Sequence, residues 1–153
     1  MSDNTLNRLN KALKTIIDPA FLASEGLGNE TPFHIFDYPA QDEIQVREFV
    51  GNKLVSKITK NHTEIQLLQI NLFKLIIDYL KAEGYYEGVV DLQESGDEEA
   101  LMEAFEGVLH SDTIADLIVD QQKDQASNLI FISGVGSCWN MIRLQSLLSI
   151  LQS

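Results

Sequence analysis

Two passages of the chain each contain a short apolar run rich in β-forming residues, followed by a turn and a helix-like segment. The first passage begins F-H-I-F-D-Y-P at Phe33, and the second begins L-I-F-I-S-G-V-G at Leu129. Open α/β sheets place ligand-binding loops where such strands end. The two passages therefore predict an α/β fold whose ligand-binding loops, if any, lie at one edge of the sheet.

Strand-like runs at residues 33–36, 64–70 and 129–132 alternate with segments of helical periodicity. Strands separated by helices pair in parallel through right-handed crossovers. We therefore expect a small, Rossmann-like, mostly parallel sheet of about three to four strands flanked by helices. The length of 153 residues fits a single α/β domain at 1–153. No strand follows the last predicted helix at about 140–151, so we expect a C-terminal strand to be missing or supplied by another chain.

The first half of the chain carries several helix signals. Asp3 or Asn4 is suited to cap a first helix, whose apolar stripe requires a core or a partner. A connector is predicted at residues 24–32, and a second helix begins at about Asp42. The apolar residues that indicate this helix are Ile44, Val46, Phe49, Val50 and Leu54. Asn71 is suited to cap the helix that follows the second strand.

The middle of the chain is strongly acidic. Residues 83–124 contain 13 acidic side chains and a single basic one, Lys123, which gives this block a net charge of −12. Apolar spacing within the block predicts helices at about 86–92, 97–109 and 111–124, a helical acidic insert. Nucleic-acid affinity depends on Lys and Arg at phosphates, so we expect no direct nucleic-acid binding. The block is either a solvated surface or a face that meets a basic partner.

Composition excludes several classes of protein. A single cysteine, Cys138, leaves no intramolecular disulfide, and the three histidines are too scattered for a metal site. No apolar run approaches the roughly 18 residues of a membrane span, and the first residues lack the pattern of a signal peptide. We expect a cytoplasmic protein with no cofactor and no membrane contact. The composition is compatible with a homo-oligomer.

The glycine turn after the third strand is the first candidate for a ligand site. Gly134, Gly136 and Ser137 lie between a buried strand and a predicted helix, where backbone N–H groups can bind an anion. Arg143, about one turn into that helix, is placed to bind a phosphate or carboxylate, or to pair with Asp37. The same glycines also suit a tight turn without any ligand. No complete nucleotide-binding motif is present.

Cys138 and Trp139 follow the glycine turn. A cysteine near a helix start has the lowered pKa of a nucleophile in some enzymes, but no neighbouring histidine supplies a base here. The alternative for Cys138 is a small buried apolar residue. We interpret Trp139 as an anchor in the core or in an interface.

Two more candidates lie in the first passage. Asp37 ends its predicted strand, and we expect it at the same sheet edge as Asn71 and the glycine turn. Turn formation and helix capping are the favoured explanation of Asp37 and Asn71, because Asp and Asn beside helix starts usually satisfy backbone donors. Arg47 lies four residues after Glu43, and these two form either a surface ion pair or part of a site.

Taken together, both passages resemble the BrxB-like family, a component of bacterial BREX phage-defence systems. The first carries P-F-H-I-F-D-Y-P followed by acidic residues and an arginine, and the second carries F-I-S-G-V-G with a downstream I-R and L-L-x-x-L-Q. The matching residues are Pro32 to Pro39, Glu43, Arg47, Phe131 to Gly136, Ile142, Arg143, Leu147, Leu148, Leu151 and Gln152. Family members carry a serine and a histidine after the arginine, where this sequence has Leu144 and Gln145. They also continue through a further strand, so the resemblance implies a fragment or a shortened relative.

The resemblance implies a non-catalytic adaptor of a multi-protein defence assembly. It implies binding to a PglZ-like protein of the alkaline-phosphatase superfamily, and a connection from that protein to the BREX ATPase. The residues agree with this role, because they contain no complete catalytic constellation. The alternative is a nucleotide- or phosphate-binding enzyme or sensor that uses the turn at Gly134 and Gly136.

Overall fold

The computed structural model describes residues 2–23 and 33–152. These residues form a mainly helical structure with a small parallel sheet of two strands, which agrees with the predicted α/β class. The helices are α1 (Asp3–Ile16), α2 (Pro19–Ala23), α3 (Glu43–Phe49), α4 (Ser56–Asn61), α5 (Leu72–Ala82), α6 (Tyr86–Ser95), α7 (Glu98–Val108), α8 (Ser111–Asp124) and α9 (Leu144–Gln152). The strands are β1 (Leu67–Asn71) and β2 (Leu129–Ser133). Short 3₁₀ turns span Ala40–Asp42 and Val135–Cys138, and a π-helical stretch, Val50–Val55, joins α3 to α4.

The chain divides into two compact units. One comprises Met1–Leu67 with Ser127–Leu129, and the other comprises Leu68–Ala126 with Ile130–Ser153. Each unit has a hydrophobic core of its own. The single domain at 1–153 stays a prediction, and the predicted connector at 24–32 lies outside the described residues.

Helix α1 is the predicted first helix, and it packs into the core of the first unit. Leu9 and Leu13 are buried there beside Val46, Phe49 and Ile58. Burying a leucine side chain contributes about 1.5–3 kcal/mol, so this packing holds α1 in place. Leu9 and Leu13 of the apolar stripe therefore lie in a core, whereas Leu6 is 37% exposed.

The cap of α1 differs from the prediction. Ser2, rather than Asp3 or Asn4, precedes the helix in an extended conformation, and its hydroxyl accepts a hydrogen bond from the Thr5 backbone N–H at 3.3 Å. Asp42 stabilises this cap from a distant point of the chain. Its buried carboxylate accepts hydrogen bonds from the Ser2 backbone N–H at 3.2 Å and from the Thr5 hydroxyl at 2.7 Å. Asp42 thus ties the start of α1 to the turn before α3.

The Asp42 carboxylate makes stability depend on pH. Hydrogen bonds from Thr5 and then from Ser2 hold its pKa below the usual value, so the folded state favours the ionised form. Its contribution is complete above the pKa of the unfolded chain, about 3.9, and is lost as the pH falls through the lower pKa of the folded state. We expect Asp42→Asn to reduce the loss of stability in acid, measured by urea unfolding between pH 6 and 2.5. Glu48→Gln, on the exposed surface of α3, is the matched control, and an acid profile of Asp42→Asn identical to that of the wild type contradicts the assignment.

The strand predicted at residues 33–36 is wrong for the isolated chain. Residues 33–39 form neither helix nor strand, although the composition favours β-structure. The reason is that a strand requires a neighbour, and no described residue pairs with this backbone. The described residues therefore contain two strands in place of the expected three or four.

The second predicted helix is confirmed, and α3 begins at Glu43. The apolar residues that predicted this helix do not all face the core, since Ile44 is 70% exposed while Val46 is buried. Successive residues of a helix are about 100° apart, so Ile44 and Val46 point to nearly opposite sides. Ile44 is therefore a surface residue.

The sheet and its crossover build the second unit. Strands β1 and β2 lie side by side, and helices α5 to α8 connect them, as a parallel pair requires. Strand β1 begins at Leu67 rather than at the predicted position 64. Before it, the Asn128 side chain accepts a hydrogen bond from the Gln66 backbone N–H at 2.8 Å and donates one to the Glu64 carbonyl at 2.9 Å. The Gln66 carbonyl also accepts hydrogen bonds from the Asn128 and Leu129 backbone N–H groups at 3.1 and 3.4 Å. The Asn128 side chain thus adds to the backbone pairing just ahead of β1.

The acidic insert forms helices α6, α7 and α8, as predicted. Asp97 caps α7 by accepting a hydrogen bond from the Ala100 backbone N–H at 3.0 Å, and Gly96 ends α6 with a φ of 76°. On the inner side, Phe105, Ile114 and Ile118 are buried in the core. All 13 acidic side chains of residues 83–124 are exposed. The insert therefore presents a negatively charged surface to solvent.

Candidate functional site

The carboxyl ends of β1 and β2 meet at Asn71 and Gly134. Asn71 caps α5, because its Oδ1 accepts a hydrogen bond from the Lys74 backbone N–H at 3.0 Å. Gly134 follows β2 with a φ of 72°, and a Cβ atom at this position would lie 2.5 Å from Asn71 Oδ1. The capping side chain thus occupies the space where any other residue would carry its Cβ. Close packing and the positive φ together explain the glycine without a ligand.

We expect Gly134→Ala to destabilise the protein. The left-handed conformation costs about 1–2 kcal/mol for a residue with a Cβ, and the contact with Asn71 adds to this cost. Gly136→Ala is the matched control, because a Cβ at Gly136 meets nothing within 4 Å, and its effect should stay within about 0.5 kcal/mol. Chemical unfolding of both variants provides the comparison, and equal stability of the two contradicts this explanation of Gly134.

The turn after Gly134 is shorter than an anion-binding helix. Val135–Cys138 is a four-residue 3₁₀ turn, and the Ser137 backbone N–H donates to the Gly134 carbonyl at 3.2 Å. The following helix, α9, begins at Leu144, four residues later than predicted. Arg143 therefore precedes the last helix instead of lying one turn into it. The burial of Cys138 and Met141 in the core accounts for this, because the chain turns between them to place both inside.

Cys138 behaves as a core residue. It is buried, and its Sγ lies 3.3 Å from the Gly134 carbonyl oxygen, to which the thiol donates. Burial raises the pKa of Cys138 to about 11. The side chain is therefore a neutral thiol at physiological pH and is not prepared for nucleophilic attack.

Arg143 and Glu106 form a loose surface pair. The Arg143 guanidinium nitrogen lies 3.5 Å from the Glu106 carboxylate, and both side chains are exposed. Such a pair contributes about 0–1 kcal/mol. Phosphate binding by Gly134, Gly136, Ser137 and Arg143 stays a prediction.

Asp37 and Arg47 belong to the first unit, and each has a partner there. The Arg8 guanidinium donates to Asp37 Oδ1 at 2.7 Å and holds the pKa of that carboxyl below its usual range. Arg47 donates to Glu43 Oε1 at 2.8 Å, which is the predicted i,i+4 pair. Asp37 thus pairs with Arg8 rather than with Arg143.

Tyr38 completes a network at the start of α3. Its hydroxyl donates to Glu43 Oε2 at 2.6 Å, so Glu43 accepts from both Tyr38 and Arg47. Burial raises the pKa of Tyr38 to about 12, and the Glu43 carboxylate adds to this increase. The same two hydrogen bonds lower the pKa of Glu43. The network ties Tyr38 to the first turn of α3.

Three large apolar side chains stand out on the surface. Trp139 is 80% exposed, Ile35 is 75% exposed and Ile44 is 70% exposed. Trp139 follows the buried Cys138 directly and points away from the core of the second unit. The core interpretation of Trp139 is therefore wrong. Sequence analysis also missed Ile35 and Ile44 as surface residues, although the helical spacing between Ile44 and Val46 contained the signal.

Two classes of site find no support in the part of the chain that the structure describes. Residues 2–23 and 33–152 contain no group of three His, Cys, Asp or Glu side chains that could hold a metal ion. Within the same residues, every helix is too short or too polar to cross a bilayer.

These features define a small, mainly helical α/β protein that carries apolar residues on its surface. The family model of the BREX protein BrxB matches residues 68–153. A BREX protein BrxB from Escherichia coli O9:H4 (strain HS) is 35% identical over 145 residues, which cover 95% of this chain and 70% of the relative. A BREX protein BrxB from Bacillus cereus (strain H3081.97) is 29% identical over 144 residues, covering 93% of this chain and 74% of the relative. No solved structure gives a significant match.

The chain belongs to the BrxB family. This confirms the resemblance drawn from the two sequence passages that begin at Phe33 and Leu129. The family model begins at Leu68, so its match contains the second passage and leaves out the first.

Proposed function

We propose that the chain is a non-catalytic adaptor of a cytoplasmic BREX phage-defence assembly and that it binds the PglZ-like protein of that system. The family assignment supports a role in BREX defence. We propose binding to the PglZ-like protein, and a connection from it to the BREX ATPase, because the sequence motifs resemble those of the BrxB-like family.

The exposed indole of Trp139 is the observation that carries the adaptor role. An aromatic ring that is 80% exposed leaves a large apolar area in contact with water. Tryptophan contributes about 150–250 Å² when it is buried, and it is enriched among residues that dominate binding energy. Because the core of the second unit excludes this ring, a partner protein is the natural place to bury it.

The candidate chemical groups support an adaptor better than an enzyme. Cys138 is a buried neutral thiol, Asp37 and Arg47 are both paired, and packing explains Gly134. None of these groups has the pairing of nucleophile and base that covalent catalysis uses.

The surface charge supports protein binding rather than DNA binding. Helices α6, α7 and α8 carry exposed carboxylates, which repel the phosphate backbone of nucleic acids. A negatively charged surface of this kind accelerates association with a basic partner at low salt.

A pull-down with this chain as bait, against each other protein of its BREX system, tests the proposal. We expect selective recovery of the PglZ-like protein, and recovery that survives moderate salt indicates apolar contacts such as those of Trp139. Strong loss of recovery in salt assigns the contact to residues 83–124 instead. Failure to recover the PglZ-like protein at any salt concentration contradicts the proposed function.

A further inference from the structure

Within the described part of the chain, the backbone of residues 33–38 pairs with no other backbone segment. The Asp37 backbone N–H donates locally, to the carboxylate of its own side chain. The next backbone hydrogen bond is that of the Asp42 N–H to the Pro39 carbonyl at 2.8 Å. Unpaired backbone groups on a surface accept a strand from another chain. The segment also has the β-forming composition F-H-I-F.

The segment alternates between inward and outward side chains from Ile35 to Tyr38. Phe36 and Tyr38 are half-buried, and their ring centroids lie 5.9 Å apart, whereas Ile35 and Asp37 are exposed. A period of two residues is the geometry of an extended chain. Tyr38 also precedes Pro39, which restricts its backbone to the extended region.

Side chains hold the segment in place without using its backbone. The Arg8 guanidinium lies 4.9 Å from the centre of the Phe36 ring and also binds Asp37, and Tyr38 donates to Glu43. These contacts all arise from α1 and α3 of the first unit. An extended segment that is already ordered loses little conformational entropy when a partner strand binds.

The outward face combines an apolar side chain, Ile35, with charged side chains that are paired. Ile35 is 75% exposed. The negative charge of Asp37 is matched by Arg8, and that of Glu43 by Arg47. Charge complementarity therefore favours an uncharged occupant over a strongly basic or acidic one.

We infer that residues 33–38 are a docking edge for an extended, uncharged β-strand of a partner protein, with Ile35 as the side-chain anchor. Strand addition of this kind takes its affinity from main-chain hydrogen bonds and its specificity from alternate side chains. The inference rests on the proposed function, because it assigns this edge to the contact with the PglZ-like protein.

Hydrogen–deuterium exchange on the chain alone and in its complex with the PglZ-like protein tests the inference. Unpaired amides exchange quickly, so residues 33–38 should exchange fast in the free chain and at least about tenfold more slowly in the complex. A complex that forms with no change of exchange at 33–38 overturns the docking edge and leaves the proposed function intact. Absence of a complex overturns both.

An Ile35→Pro variant adds an independent readout. Proline removes the backbone N–H and the aliphatic side chain of Ile35. Neither supports the fold of the described residues, since none of them pairs with that N–H and the side chain is exposed. We expect an affinity loss of at least about tenfold with an unchanged melting temperature, whereas Ile35→Val should bind like the wild type. Wild-type affinity of Ile35→Pro overturns the inference.

Discussion

The substitution Trp139→Ala should weaken binding to the PglZ-like protein by about 30-fold or more, which corresponds to about 2 kcal/mol or more for a dominant interface residue. The physical reason is that Trp139 is 80% exposed in the free protein. Its removal costs no core packing, but it removes a large apolar area from the proposed interface. Isothermal titration calorimetry of the wild type and of Trp139→Ala against the purified PglZ-like protein measures the difference in affinity.

Two controls separate binding from folding in the Trp139 experiment. Trp139→Phe keeps an aromatic ring at this position and should retain most of the affinity. Thermal unfolding of Trp139→Ala should match that of the wild type, because the indole lies outside the core. If Trp139→Ala binds as tightly as the wild type, this residue does not anchor the partner.

Ile76→Ala should have the largest effect on stability. Ile76 is fully buried on the inner side of α5, in the core of the second unit. Removing a buried isoleucine to alanine costs about 2–5 kcal/mol, a large part of the roughly 5–15 kcal/mol that holds a small protein folded. Urea unfolding monitored by circular dichroism measures this loss.

The same substitution at an exposed position is the control for Ile76. Ile44→Ala removes the same atoms from a side chain that is 70% exposed, so its effect should stay within about 0.5 kcal/mol. Similar stabilities for Ile76→Ala and Ile44→Ala would show that α5 does not pack as the structure describes.

The sequence predicted best those elements that local patterns determine. The periodicity of α1, α7 and α8, the apolar run of β2 and the Asn71 cap were all recognisable, because each depends on residues close together in the chain. The expected meeting of Asn71 with the glycine turn also follows from local rules, since parallel strands end at the same edge.

Long-range contacts account for what the sequence could not predict. Strand propensity at 33–36 describes side chains, but pairing depends on a neighbour, and the described residues supply none. Asp42 looked like a helix-start residue for α3, yet it binds Ser2 and Thr5, which lie about 40 residues earlier. The late start of α9 depends on the burial of Cys138 and Met141 and the exposure of Trp139. The spacing of apolar residues in the sequence does not show which of the three are buried.

The most direct test of the adaptor role is the affinity between the purified chain and the purified PglZ-like protein, measured by calorimetry at physiological salt. The proposed function predicts a saturable complex of defined stoichiometry, with the heat of binding reduced or lost in Trp139→Ala. No heat of binding, together with separate elution of the two proteins from a sizing column, would contradict it.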